Sequence, residues 1–109
     1  MPDRLRKINE LIKHHVGDII LKDLSLKEGV FLTVAKVDTT ADLRYTRVFV
    51  SIFPEKEMDY VMKTLEKEIY HLQGILNKKL SMRPLPRIEF RPDLTESKAD
   101  EIEKLLKEI

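Results

Sequence analysis

The chain has no cysteine, so neither a disulfide framework nor a cysteine-ligated zinc site can form. It has three glycines, Gly17, Gly29 and Gly74, and no two of them are three residues apart, which excludes a Gly-x-x-Gly loop. No apolar run approaches the ~20 residues needed to span a bilayer. Met1-Pro2-Asp3-Arg4 leads into a charged stretch with no signal-peptide core, so a cytoplasmic location is expected. Ser25, Ser51, Ser81 and Ser97 lack a Gly-x-Ser-x-Gly context, and no nucleophile–base constellation or phosphate loop is present; no enzymatic activity is expected. His14 and His15 are adjacent and diverge on a helix. Glu68 and His71 make one Glu-x-x-His pair where a di-iron site needs two. No metal or cofactor is expected.

The chain has 109 residues, 42% of them hydrophobic, which suits one domain spanning 1–109 with a single core. Charged residues make up 36%, and 20 basic against 19 acidic side chains leave a net charge of +1. The signs are segregated. His71–Pro92 holds Lys78, Lys79, Arg83, Arg87 and Arg91 against Glu89, whereas Asp93–Ile109 is acidic. Segregated charge can build a local positive field that the net charge conceals. Abundant Lys, Glu and Ile give a thermophile-like composition.

Apolar residues at Leu5, Ile8, Leu11, Ile12, Val16, Ile19 and Ile20 share one helical face, predicting a helix from about Asp3 to Asp23 with Asp3 as N-cap. Val30 to Asp38 and Tyr45 to Phe53 alternate as strands joined by Asp38–Asp42, an antiparallel hairpin. Thr46, Val48, Val50 and Ile52 should face helices, with Tyr45, Arg47, Phe49 and Ser51 opposite. From Glu57 to Leu80 helical spacing passes through Gly74, predicting helix, kink, helix. Pro84 and Pro86 end it, and Arg87 to Arg91 forms a third strand. Thr95 could cap a last helix with Ile102, Leu105, Leu106 and Ile109 on its apolar side. The order αββααβ plus a C-terminal helix implies an α+β fold. A three-stranded sheet would carry its helices on one face.

That order is the type II KH arrangement. The chain resembles the ribosome-binding factor A family, in which a type II KH-like fold replaces the Gly-x-x-Gly loop with an Ala-x-Gly helix kink. Leu72-Gln73-Gly74 is similar to that kink, with Leu72 at the alanine position and Asn77 where the family often has arginine. Arg4 and Ile8, Thr33-Val34, Val37, Asp42-Leu43, Val48, Val50, Ser51, and Pro86, Ile88, Phe90 and Asp93 carry the rest of the likeness.

The resemblance implies a non-enzymatic, monomeric ribosome assembly factor. It would bind the free small (30S) subunit and 16S ribosomal RNA near its 5′-terminal helix and aid late RNA processing. It would work in the cytoplasm, in a family associated with growth at low temperature. Arg4, Lys78, Lys79, Arg83, Arg87 and Arg91 are the candidate RNA contacts, the last five as one basic strip, since phosphate neutralisation supplies most nonspecific affinity. Tyr45 and Phe49 beside Arg47 could stack on bases, although such rows are more often cross-strand packing. The alternative is a protein-binding adapter on the same fold.

Overall fold

The computed structural model describes residues 2–81 and 85–94. The predicted last helix, Lys104, Lys107 and Arg83 lie outside these residues. Seven elements follow in order: α1 (Pro2–Asp23), β1 (Phe31–Thr39), β2 (Tyr45–Phe53), a 3-10 turn (Glu55–Glu57), α2 (Met58–Lys67), α3 (Ile69–Lys79) and β3 (Arg87–Pro92). The α+β, KH-like architecture expected from the sequence is present. Asp3 lies in the first turn of α1 rather than at its N-cap, because the helix begins at Pro2, and proline's fixed φ suits a first helical position.

The sheet has the order β1-β2-β3. β1 and β2 pair antiparallel, with Phe31 opposite Phe53 and Thr39 opposite Thr46. β3 runs parallel to β2, with Tyr45 opposite Arg87 and Val50 opposite Pro92. A parallel neighbour requires a crossover, and α2 and α3 supply it. The β1 register slips between Val34 and Lys36. This bulge lets Leu32, Val34, Val37 and Thr39 all face inward despite their uneven spacing. The extra residue, Ala35, turns its carbonyl to Lys13 Nζ at 3.3 Å.

The core lies between the sheet and the helices. Ile12, Val16, Ile19 and Ile20 of α1 meet Leu32, Val48, Val50 and Ile88 of the sheet, with Val61 and Leu65 of α2 and Leu72, Leu76 and Leu80 of α3. Cutting any of these leucines to alanine should cost about 2–5 kcal/mol. The buried Thr39 and Thr46 hydroxyls satisfy each other at 3.0 Å. Among the described residues no buried side-chain nitrogen or oxygen lacks a partner.

The helical break is present but displaced. Glu68 separates α2 from α3 with φ −93° and ψ 4°, and Gly74 sits within α3. Leu72-Gln73-Gly74 is therefore not the kink: Leu72 is a buried core residue and Gln73 has a different task. The cause is packing. α2 lies against β3 and β2, whereas α3 lies against α1 and β3, so the helix must change course between Leu65 and Leu72. Hydrogen bonds from Glu68 N–H to Thr64 O and from Leu72 N–H to Glu68 O, both 3.0 Å, hold the junction without glycine.

Candidate nucleic-acid interface

The strand pairings place the end of β1 and the starts of β2 and β3 together at one end of the sheet. Asn9 Oδ1 accepts a hydrogen bond from Thr39 N–H at 2.9 Å, which ties the N-terminal half of α1 to that end. Thr40 to Arg44 forms the hairpin loop there, with Leu43 at φ 61°. Asp42 holds this left-handed turn. Its Oδ1 accepts from the Thr40 hydroxyl at 2.6 Å and from Arg44 N–H at 3.1 Å. The Thr40 hydrogen bond, then the one from Arg44, lowers the Asp42 pKa below its ordinary value.

Gln73 fastens α3 to the same region. Its Oε1 accepts from Ile88 N–H at 2.8 Å, and its Nε2 donates to Pro86 O at 3.0 Å and to Asn77 Oδ1 at 2.9 Å. One amide side chain thus completes the outer edge of β3, where no further strand pairs. α3 runs antiparallel to β3 past this clasp, so its last turn, with Lys78 and Lys79, projects beyond the β3 start. Between α3 and that start lies a cleft of about 480 Å³ lined by Tyr70, Gln73, Asn77, Leu85 and Arg87. Tyr70 is 90% exposed at its rim.

Four of the six sequence-predicted RNA contacts gather at this end: Arg4 in the first turn of α1, Lys78 and Lys79 closing α3, and Arg87 opening β3. All four are exposed, and none has an ion-pair partner among the described residues. Arg83 lies outside the described residues. Arg91 stands further along β3, with Nη2 3.5 Å from Glu89, so part of its charge is already answered. Arg87 and Arg91 do share the sheet face opposite the core, as their alternation with Ile88 and Phe90 implies. That face lies away from the helical layer carrying Lys78 and Lys79. Arg87, at the cleft, is where the two layers meet; the basic side chains wrap an end of the domain.

Sequence reasoning missed Arg6 and Lys7, which join Arg4 in the first two turns of α1. A signal existed: the helix dipole disfavours cations at an N-terminus by about 0.3–1 kcal/mol each, so three of them there ask for an explanation. Lys78 and Lys79 sit where the dipole favours them and are less informative alone. Tyr70 was also missed, because only the path of α3 shows that it borders a cleft. On the open sheet face, Lys36 Nζ sits 4.6 Å from the Phe49 ring centroid, so Phe49 is engaged within the protein; Tyr45 is exposed. No helix among the described residues is long and apolar enough to cross a membrane.

Comparison with known proteins agrees with this architecture. The sequence model for ribosome-binding factor A matches residues 4–106. The chain belongs to the ribosome-binding factor A family. It is 38% identical over 112 residues to ribosome-binding factor A of Chlorobium phaeovibrioides, covering 100% of this chain and 93% of that one. It is 36% identical over 107 residues to that of Natranaerobius thermophilus, covering 97% and 82%. The crystal structure of ribosome-binding factor A from Thermus thermophilus superposes with a TM-score of 0.66 at 29% identity, over 81% of this chain and 94% of that one. A homology model of Thermus thermophilus ribosome-binding factor A, as fitted into the cryo-EM map of a 30S complex, superposes equally, at TM-score 0.66 and 28% identity, over 78% and 90%.

Proposed function

We propose that this protein is a ribosome assembly factor that binds the free small ribosomal subunit through its basic end and contacts 16S ribosomal RNA near its 5′-terminal helix. The observation that carries the reading is the set of cations Arg4, Lys78, Lys79 and Arg87, which have no ion-pair partner among the described residues and come from three separated stretches of chain to one end of the sheet. Membership of the ribosome-binding factor A family supports it, as does the relative fitted into a 30S complex. Arg6 and Lys7 extend this set, and Arg83 and Arg91 are its further contacts.

The protein acts in the cytoplasm as a monomer and without catalysis. It favours one RNA conformation by differential affinity, which is the only way a binding protein shifts a population. Such contacts position the protein on RNA without reading sequence. The test is sedimentation with separated ribosomal subunits at several salt concentrations. Binding to free small subunits should exceed binding to large subunits or joined ribosomes, and should weaken with salt. Equal affinity for large subunits would refute the proposal. Binding that ignores salt would favour the protein-binding adapter instead.

A further inference from the structure

In the cleft between α3 and the start of β3, Ile69, Leu85 and Ile88 supply an aliphatic lining. A chain of hydrogen bonds sets the polar part. Arg87 N–H donates to Arg44 O at 2.9 Å on the β2 side, so Pro86 O and Ile88 N–H point to the free edge of β3. Gln73 takes both. Ile88 N–H fixes which end of the Gln73 amide is oxygen, and Nε2 is left to donate to Asn77 Oδ1 as well. Asn77 is fixed in turn, and its Nδ2 has no partner among the described residues. The strand edge is thereby closed at Pro86 and Ile88, and the cleft offers two groups that can only donate, Asn77 Nδ2 and the Arg87 guanidinium. Tyr70, 90% exposed at the rim, has no ring contact among the described residues. Tyrosine normally brings a large apolar area to packing; this ring covers nothing.

We propose that this cleft holds one unpaired RNA nucleotide, with its base on the Tyr70 ring, a base carbonyl on Asn77 Nδ2 and its phosphate on Arg87. Groups that only donate ask for a ligand rich in acceptors. The aliphatic lining and the free aromatic face ask for a flat ring rather than a bare anion, and base–aromatic stacking supplies such a contact. A base within a duplex has its faces and its pairing edge already occupied, so the ligand is single-stranded. The volume of about 480 Å³ suits one small ligand. Lys78 and Lys79 follow Asn77 directly in the last turn of α3, and their charge favours a polyanion over a free neutral ring. The proposal rests on the reading of the basic end as an RNA surface and adds to it a site for a base. Gln73 gives that site its character: with the strand edge closed, the base edge meets Asn77 instead of the backbone of β3.

The test is an NMR titration of the full chain with uridine 5′-monophosphate, and separately with inorganic phosphate. The nucleotide should shift the Asn77 side-chain amide and the Tyr70 ring signals, and its own uracil protons should move upfield in the ring current of Tyr70. Phosphate alone should shift Arg87 and leave Tyr70 and Asn77 in place. Tyr70→Ala, at an exposed position, should weaken nucleotide binding roughly fivefold or more. Asn77→Asp can still accept from Gln73 but offers no donor, and should weaken it too. On small subunits, Tyr70→Ala should lower affinity without changing the salt slope, because no phosphate contact is lost. Equal shifts from phosphate and nucleotide would make the cleft an anion site only and overturn the proposal. So would nucleotide binding that is absent, or that is untouched by Tyr70→Ala. Salt-dependent subunit binding that persists in those cases would leave the basic end standing and remove the base site alone.

Discussion

The two ends of the sheet use their cations differently. At the end where α1 finishes and α2 begins, Lys27 Nζ lies 2.7 Å from Glu57 Oε2 and 4.9 Å from the Tyr60 ring centroid. Its backbone N–H donates to the Tyr60 hydroxyl at 3.0 Å. Lys22 pairs with Asp18 at 3.2 Å. Lys27 thus fastens the α1–β1 loop onto the start of α2, whereas the Lys22 pair lies within α1. At the hairpin end, Arg4, Arg6, Lys7, Lys78, Lys79 and Arg87 have no such partners among the described residues, and the fastening is done by neutral amides, Asn9 and Gln73. Apart from Arg44, whose Nε lies 3.8 Å from Asp42 Oδ2 within the hairpin loop, the hairpin end joins its elements through amides and leaves these six cations without ion-pair partners among the described residues. Net charge cannot show this division, because it averages over both ends.

The strongest way to break the comparison is to strip charge from each end in turn. Replacing Arg4, Lys78, Lys79 and Arg87 together by alanine should lower the magnitude of the salt slope for small-subunit binding by about 3, at roughly 0.7–0.9 per phosphate released. Each substitution should cost folding no more than about 0.5 kcal/mol, since all four side chains are exposed. Lys22→Ala with Lys27→Met, at the other end, should leave the slope unchanged and cost up to about 1 kcal/mol of stability through lost ion pairs. Sedimentation across salt concentrations and urea denaturation read the two effects separately. Equal slopes lost from both ends would mean that the division of labour does not exist.

Much of the architecture was legible because single elements advertise themselves. In β2 the alternation of Thr46, Val48, Val50 and Ile52 with Tyr45, Arg47, Phe49 and Ser51 predicted which side meets the helices, and burial follows it from Tyr45 to Val50, with Ser51 and Ile52 both half-buried. α1 announced its stripe in the same way, except that Leu11, counted in it, is exposed. What could not be read were features set by more than one element. Glu68 carries no mark of a helix break; its role comes from the different surfaces that α2 and α3 must cover. Gly74 carried the usual mark and had no such role. The bulge at Ala35 was half legible, since Val34 and Val37 cannot share a face of a regular strand. The basic end is tertiary in origin: Arg4 and Arg87 are 83 positions apart in the chain, and only the sheet register and the Asn9–Thr39 bond bring their elements to one place.

The amide fastening at the hairpin end is open to a sharper test. Gln73→Ala would leave Ile88 N–H and Pro86 O without their partners in a part-buried site. A cost of about 1–3 kcal/mol in urea denaturation is expected. The loss should be local as well as global, with Ile88 N–H exchanging faster than Val48 N–H in the variant. A stability equal to the parent's would mean that water replaces the glutamine without penalty and that β3 needs no cover at its outer edge.

The smallest expected effect decides where the helix turns. Gly74 lies inside α3, and a Cβ built on it meets nothing within 4 Å. Gly74→Ala therefore adds a methyl to open space and removes backbone freedom from the unfolded chain. The variant should be more stable than the parent by about 0.5–1 kcal/mol. The opposite sign is the expectation if Gly74 is the bend, because alanine resists departures from helical geometry that glycine permits. A positive shift in the urea midpoint with an unchanged slope against urea would place the turn at Glu68. Binding supplies the second arm. If the direction of α3 beyond Gln73 is set by Glu68 and by the glutamine clasp, Lys78 and Lys79 stay where they are in Gly74→Ala, and small-subunit affinity matches the parent's. A stabilised variant with weakened binding would show instead that Gly74 gives the last turn of α3 freedom that the bound state uses, and the hairpin end would then differ from the other end in motion as well as in charge.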